Sequence, residues 1–109
     1  MQAKRFKILL NAAAKRDLMT LESEQALQIA QDIRTYLEVN PIPLGKPRLK
    51  KLLGFDPPLY RLRSGDFRAY YRIEGDQVIV SAVRPKKDSE KFLKRIQEER
   101  AAFKKQPEF

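Results

Sequence analysis

The sequence contains neither cysteine nor histidine. Without cysteine, the chain has no disulfide bond, no thiolate nucleophile and no zinc site built on cysteine ligands. Without histidine, it lacks the side chain that most often moves protons near neutral pH, and with it a frequent metal ligand. We therefore expect no bound metal and no cofactor, and any catalytic chemistry has to proceed without imidazole.

Long apolar runs are missing as well. The N-terminal residues Met1–Lys7 carry charge, and no hydrophobic region of signal-peptide length follows them. We therefore expect a cytoplasmic protein that does not enter a membrane. With 109 residues, of which 42% are hydrophobic, the chain has material for one domain, residues 1–109, with a modest core.

Positive charge dominates the composition. The chain has 23 lysines and arginines against 14 acidic residues, which gives a net charge of +9. Such a charge attracts polyanions such as nucleic acids. The alternative, that the charge only keeps the protein soluble, stays open on composition alone.

The first half of the chain is predicted to form one strand and two helices. Alternation of Phe6, Ile8 and Leu10 predicts a short strand that ends at Asn11, which can cap a helix over Ala12–Met19. Thr20 is expected to cap a second helix that ends near Asn40 before two prolines. The apolar stripe of this second helix has the spacing typical of a packed helix and consists of Ala26, Ile29, Ala30, Ile33 and Leu37.

The segment Pro41–Pro58 contains five prolines and two glycines and is predicted to be a surface loop with at most one short helical turn. It carries four basic residues that are candidates to contact phosphates, namely Lys46, Arg48, Lys50 and Lys51. A solvated connector without any contact to a ligand is the alternative interpretation.

From Leu59 onward the sequence predicts three antiparallel strands joined by tight turns. The strands are Leu59–Ser64, Phe67–Ile73 and Gln77–Arg84, with the turns at Gly65-Asp66 and Gly75-Asp76. Alternation separates the side chains of the first two strands into two groups. One group is formed by Tyr60, Leu62, Phe67, Ala69, Tyr71 and Ile73, and the other, markedly basic, by Arg61, Arg63, Arg68, Tyr70 and Arg72.

The last helix is predicted to start at Asp88 or Ser89. Its apolar side consists of Phe92, Leu93, Ile96 and Phe103. The third strand of the meander is apolar almost throughout, which indicates a central strand covered on both faces. The predicted fold class is therefore α+β, a small sheet with a C-terminal three-stranded antiparallel meander in the order β-α-α-β-β-β-α and with helices packed on the sheet.

The hairpin resembles the central hairpin of the RelE/ParE toxin superfamily. The residues that carry the resemblance are Leu59-Tyr60-Arg61-Leu62-Arg63-Ser64-Gly65-Asp66-Phe67-Arg68 and Tyr70-Tyr71-Arg72-Ile73. The likeness extends to Leu52-Leu53-Gly54 before the hairpin, the apolar third strand, the Asp88-Ser89-Glu90 start of the last helix and the order of elements.

This resemblance implies a toxin of a type II toxin–antitoxin system, held in check by an acidic antitoxin in a toxin–antitoxin hetero-oligomer. The RelE-like branch cuts mRNA on the ribosome, whereas the ParE-like branch poisons DNA gyrase without chemistry of its own. Because one fold supports both functions, the site has to distinguish them. We favour the RelE-like branch, with rRNA contacts through the basic surface. A plain nucleic-acid-binding domain is a third possibility.

In the RelE-like branch, the resemblance places the family's basic catalytic cluster at Arg61, Arg63 and Arg68. A further catalytic basic residue aligns with Lys86, although Arg84 or Lys87 fills that position if the Pro85 turn shifts the register. Further RNA contacts are expected from Tyr70, Arg72, Arg84 and Lys87. Arginine suits the binding of phosphate oxygens, because its guanidinium group is always charged and binds them in pairs.

Proton transfer is harder to assign. Arginine is a poor proton acceptor, and free lysine and tyrosine have a pKa of about 10, which neighbouring positive charge or burial would have to lower. RelE-like enzymes commonly have a tyrosine in the last helix at the position of Phe92, which has no hydroxyl group. Phe92 either stacks on a base or only packs its helix. Tyr60 and Tyr71 are expected in the core, and Tyr70 on the solvated side.

Overall fold

The computed structural model describes the backbone of residues 5–104 and the side chains of residues 5–99. Its strands are β1 (Lys7–Leu10), β2 (Leu49–Leu52), β3 (Leu59–Ser64), β4 (Phe67–Glu74) and β5 (Gln77–Pro85). Its helices are α1 (Ala12–Met19), α2 (Ser23–Leu37) and α3 (Ser89–Lys104), and a short 3₁₀ turn at Lys86–Asp88 precedes α3. Among these helices, none has the length and the apolar character that crossing a bilayer requires.

The five strands form one mixed sheet in the order β1-β5-β4-β3-β2. β1 runs parallel to β5, and the other neighbours are antiparallel. The two hairpin loops have two residues each, and both begin with a glycine of positive φ, Gly65 at 56° and Gly75 at 59°. Because glycine has no Cβ, it adopts this backbone conformation without the steric cost that other residues pay.

The main core lies between the sheet and the pair α1 and α2. Its buried side chains come from both helices and from every strand except β1, whose half-buried Ile8 and Leu10 pack at its border. On the helices they are Ala14, Ile29, Ile33 and Leu37, and on the strands they are Leu49, Leu62, Ala69, Tyr71, Val78, Val80 and Val83. A second, smaller cluster lies under α3 on the opposite face and includes Leu59, Tyr70 and Ala82. The α+β class and the packing of helices on the sheet are thereby confirmed.

The loop predicted over Pro41–Pro58 contains an additional strand. β2 pairs with β3, with Leu49 opposite Leu62 and Leu52 opposite Leu59. The prediction of a plain loop was wrong because the apolar residues of this edge strand do not alternate with period two. Leu49 faces the main core, whereas Leu52 faces the cluster under α3.

The expected cap at Thr20 was also wrong. Thr20 follows the last residue of α1, and its hydroxyl group donates a hydrogen bond to the Asp17 carbonyl at 2.7 Å. α2 begins three residues later with Glu22 at the N-cap position, whose side chain makes no capping bond. Asn11 caps α1 as expected, because its side chain accepts a hydrogen bond from the Ala14 N–H at 2.8 Å. The expected apolar contribution of Phe103 lies outside the described side chains.

A β-bulge in β5 changes which side chains face which helix. Tyr70 lies opposite Ala82 while Tyr71 lies opposite Val80, so that Ser81 has no partner across the ladder. Such an extra residue reverses the alternation of the strand that contains it. As a result, Val83 faces the main core and Ala82 faces α3.

Tyr71 connects the sheet to the segment that follows α2. Its buried hydroxyl group donates a hydrogen bond of 2.7 Å to the carbonyl oxygen of Pro41, which is buried as well. Burial raises the pKa of Tyr71, and the nearby Tyr60 raises it further.

We expect Tyr71→Phe to lower the free energy of unfolding by about 2 kcal/mol, because it leaves a buried carbonyl group without its donor. Tyr60→Phe is the matched control, since the Tyr60 ring stacks on Tyr71 at 5.4 Å but its hydroxyl group bonds to none of the described residues. We expect this control to stay within about 0.5 kcal/mol of the wild type in urea denaturation. Equal effects of the two changes would contradict the assigned role of the Tyr71–Pro41 bond.

Candidate nucleic-acid interface

The antiparallel pairing of β3, β4 and β5 places basic side chains side by side on the face that α3 covers in part. Arg68 lies opposite Arg63 on one side and opposite Arg84 on the other. Arg61 lies opposite Tyr70 in the neighbouring row. Directly opposite residues point to the same face with Cβ atoms about 5 Å apart. The sheet therefore gathers Arg61, Arg63, Arg68 and Arg84, which repel one another and which we call the arginine row.

Arg68 is the buried member of this group, with 7% of its surface exposed. One terminal nitrogen, Nη1, donates to the carbonyl oxygens of Gly65 and Phe67, both at 2.9 Å. Burial lowers the pKa of Arg68, and the charges of Arg61 and Arg63 lower it further. Arg68 thus stabilises the β3–β4 turn and brings positive charge underneath the surface.

Arg61 and Arg63 are the accessible members. Arg61 is half-buried and Arg63 is exposed. Within residues 5–99, neither guanidinium group has an ion pair or a side-chain hydrogen bond. Nε of Arg61 is buried without a hydrogen-bond partner in this part of the chain, so the terminal nitrogens of Arg61 and the exposed guanidinium group of Arg63 are the parts available to an external anion.

The two other arginines on this face, Arg72 and Arg84, lie close to acidic side chains, although Nε of each makes no hydrogen bond among the described residues. Nε of Arg84 lies 3.6 Å from the Asp17 carboxylate, and its guanidinium group lies 5.1 Å from the centre of the Phe92 ring. Arg72 forms an ion pair with Glu74 at 3.0 Å. Both contribute positive potential, but a phosphate group has to compete with an acidic side chain for them.

One of the four basic loop residues, Lys50, lies directly opposite an arginine of this face in the sheet. Exposed Lys50 lies opposite Arg61 on the edge strand β2. Of the three others, Lys51 lies opposite Tyr60, and Lys46 donates to the Asn40 carbonyl at 2.6 Å. Arg48 lies over the Tyr36 ring of α2 at 5.0 Å, and its Nη1 donates to the Arg63 carbonyl at 3.4 Å.

Tyr70 is fully buried, so the expectation that it lies on the solvated side was wrong. Alternation assigned it correctly to the face of Arg68, but α3 covers it at that point. Its ring contacts Phe92 with 4.9 Å between the centroids. The Tyr70 hydroxyl group has no hydrogen-bond partner among the described residues. Phe92 is itself half-buried between Tyr70 and Arg84, so it packs α3 onto the sheet.

Lys86 and Lys87 lie at one end of the arginine row, on the exposed turn between β5 and α3. The backbone N–H of Lys86 donates to the Asp66 carbonyl at 2.7 Å, which joins this turn to the β3–β4 turn. Between the two turns and the start of α2 is a pocket of about 640 Å³, lined by Gln25, Asp66, Phe67, Pro85, Lys86 and Lys87. Gln25, Asp66, Phe67 and Pro85 were not predicted as site residues. Asp66 and Phe67 belong to the hairpin motif, whereas no local pattern points to Gln25.

The model of the ParE toxin family of type II toxin–antitoxin systems matches residues 8–90. The chain therefore belongs to this family, and with it to the RelE/ParE superfamily. No curated protein matches the sequence.

Similar folds occur in solved toxin structures. The archaeal RelE–RelB complex of Pyrococcus horikoshii OT3 matches with 24% identity and a TM-score of 0.56 over 73% of this chain and 93% of that chain. The RelBE2 complex of Mycobacterium tuberculosis matches with 22% identity and a TM-score of 0.58, over 74% and 98%. A mutant of the E. coli toxin RelE in the free state matches with 23% identity and a TM-score of 0.57, over 84% and 98%. At such identities the likeness concerns the fold.

We expect Tyr70→Phe to raise the free energy of unfolding by about 1 kcal/mol, because it removes a buried hydroxyl group that lacks a protein partner and keeps the ring contact with Phe92. Urea denaturation measures the effect. The same substitution at the adjacent Tyr71 is expected to act in the opposite direction. A loss of stability in Tyr70→Phe would show that the hydroxyl group does have a stabilising partner.

Proposed function

We propose that this type II toxin is a ribosome-dependent mRNA endonuclease that acts in the cytoplasm. The observation that carries the proposal is the pair of unpartnered guanidinium groups of Arg61 and Arg63 beside the buried charge of Arg68. Placing like charges together costs stability. RNA phosphates that bind to this face would offset the repulsion between the arginines, so the cluster is consistent with an RNA-binding site.

In the proposed reaction, the RNA 2′-oxygen attacks the neighbouring phosphorus, and the bond from phosphorus to the 5′-oxygen breaks. The products are a 2′,3′-cyclic phosphate, which water opens to a 3′-phosphate, and a 5′-hydroxyl end. Arg61 and Arg63 bind the non-bridging oxygens, where negative charge grows in the transition state. Lys86, on the exposed turn after β5, is the proposed proton donor to the leaving 5′-oxygen.

The proton of the 2′-hydroxyl group needs an acceptor, and the proposal assigns this role to the ribosome. Phe92 has no hydroxyl group, and the hydroxyl group of Tyr70 lies under α3. Among the described residues, tyrosine therefore supplies no accessible proton acceptor on the arginine face. If the toxin positions the phosphate and the ribosome supplies the group that accepts the 2′-hydroxyl proton, cleavage requires the ribosome.

The proposed regulator is a cognate antitoxin with an acidic segment. RelE–RelB complexes from Pyrococcus horikoshii OT3 and Methanococcus jannaschii share the fold of this chain. The net charge of +9 attracts an acidic segment, and phosphate and carboxylate groups compete for the same arginines. Such a partner would cover the β3–β4 hairpin and α3 in a hetero-oligomer.

The second candidate function is ParE-like inhibition of DNA gyrase without RNA cleavage. It is favoured by the family description, which names ParE, and by the absence of a hydroxyl group at Phe92. In that case the arginine face would bind a protein or DNA surface, and no new RNA ends would appear.

The first experiment is inducible expression of the wild type and of Arg61→Gln/Arg63→Gln in bacteria, with mapping of mRNA 5′ ends on translating ribosomes. We expect the wild type to stop growth with cuts inside reading frames, and the double variant to lower cutting about 100-fold, because two charge-assisted hydrogen bonds are lost. Arg68 stays unchanged in this design, since its substitution would also disturb the turn at Gly65.

Lys15→Gln/Arg16→Gln is the matched control. It removes the same charge from exposed positions on α1, which packs on the opposite face of the sheet. This control should cut as the wild type does. Growth arrest without new 5′ ends, accompanied by trapped gyrase–DNA complexes, would replace the nuclease proposal with the ParE-like one.

Salt dependence tests the phosphate contacts directly. For single-stranded nucleic acid, the slope of log affinity against log salt concentration changes by about 0.7 for each phosphate contact. We therefore expect Arg61→Gln/Arg63→Gln to reduce the slope for a short single-stranded RNA by about 1.4, and Lys15→Gln/Arg16→Gln to leave it nearly unchanged. Equal reductions in both variants would mean that only net charge matters and that Arg61 and Arg63 bind no phosphate.

A further inference from the structure

The pocket of about 640 Å³ beside the arginine row is lined by apolar, basic and hydrogen-bonding residues. Phe67 and Pro85 supply apolar surface, and Lys86 and Lys87 supply positive charge. Asp66, together with Gln25 from the first turn of α2, supplies hydrogen-bonding groups. Its volume falls within the range of pockets that bind small molecules. A nucleotide-binding site needs apolar surface for the base ring, cations for the phosphate and polar groups for the edge of the base.

The pocket also adjoins the place where the proposed phosphate contacts end. Phe67 and Pro85 lie opposite each other, one residue along their strands from the pair Arg68 and Arg84. One residue in a strand corresponds to about 3.4 Å. Because side chains alternate, Arg68 faces α3 whereas Phe67 packs toward the main core. The pocket therefore lies on the α2 side of the sheet, and an RNA strand on the arginine face would reach it by passing the start of β4 and the end of β5.

We propose that this pocket binds one nucleotide of single-stranded RNA, with its base against Phe67 and Pro85 and its phosphate at Lys86 and Lys87. This inference rests on the proposed function, since it assumes an RNA strand along the arginine row. Stacking on aromatic rings and hydrogen bonding at the base edge are the usual means by which proteins bind unpaired RNA. The pocket then selects the base beside the cleaved bond.

Asp66 determines which bases fit. A carboxylate accepts hydrogen bonds and donates none, so it favours bases that present amino hydrogens. Adenine, cytosine and guanine carry an exocyclic amino group, whereas uracil presents carbonyl oxygens at the equivalent positions. The hydrogen bond from the Lys86 N–H to the Asp66 carbonyl holds this residue beside the lysines. We expect uracil to bind about tenfold more weakly than the other bases.

The test uses the full chain, isotopically labelled by cell-free synthesis, and follows amide chemical shifts during titration with AMP, CMP, UMP and inorganic phosphate. AMP and CMP should shift the amides of Gln25, Asp66, Phe67 and Lys87, with UMP and phosphate about tenfold weaker. If phosphate and all three nucleotides shift the same amides with equal affinity, the site binds only phosphate and the proposal is overturned. The proposal also fails if the nucleotides leave these amides unchanged.

Two variants test whether Asp66 is responsible for the discrimination against UMP. Asp66→Asn replaces an acceptor by a group that both donates and accepts, so it should abolish the discrimination against UMP. Asp76→Asn is the matched control, because Asp76 occupies the same position in the other Gly-Asp turn and its carbonyl accepts a hydrogen bond from the Lys7 N–H at 2.8 Å. This control should discriminate as the wild type does. Unchanged discrimination in Asp66→Asn would remove Asp66 from the recognition site.

Failure of this inference and failure of the proposed function have different signatures. If AMP and CMP bind in the pocket but no mRNA is cut in cells, the pocket stands and the nuclease proposal fails. If mRNA is cut while the pocket amides do not respond and Asp66→Asn leaves the bases at the cut sites unchanged, the nuclease proposal stands and the pocket fails.

Discussion

The alternation of side chains along the central strand β4 is the constraint on which the rest of the structure depends. Ala69 and Tyr71 have to face the main core under α1 and α2, because this core holds the sheet and the two helices together. Arg68, Tyr70 and Arg72 then necessarily face the other side. The neighbouring strands follow the same pairing, and the bulge at Ser81 lets Arg84 join this second face. The arginine row is therefore a consequence of how the core is built.

Arg68 is the arginine most destabilised by gathering positive charges on this face. Its pKa is lowered because the guanidinium group is buried and because Arg61 and Arg63 repel it, yet two backbone carbonyls of the β3–β4 turn accept its hydrogen bonds. Arg68 thus both stabilises the β3–β4 hairpin and adds to the positive electrostatic potential of the surface. An anionic ligand or an acidic antitoxin segment would relieve the repulsion, which explains how RNA and antitoxin would compete for one face.

Sequence patterns predicted the elements whose apolar residues follow a single period. The strand Leu59–Ser64 and the helix Ala12–Met19 have the predicted bounds. β2 escaped prediction because its two leucines face different layers. Alternation assigned Tyr70 to the right face, but it could not predict that α3, which is distant in sequence, covers Tyr70 on that face. The pocket was missed for the same reason, since Gln25 meets the two turns only in the folded chain.

The central claim is that the face bearing Arg61 and Arg63 contacts the mRNA phosphates, whereas the surface of α1 that carries Lys15 and Arg16 does not. A cryo-electron microscopy structure of the chain bound to a translating ribosome tests it most directly. We predict the guanidinium groups of Arg61 and Arg63 within hydrogen-bonding distance of consecutive mRNA phosphates. A complex in which this face points away from the mRNA, or a chain that does not associate with ribosomes at all, would contradict the account.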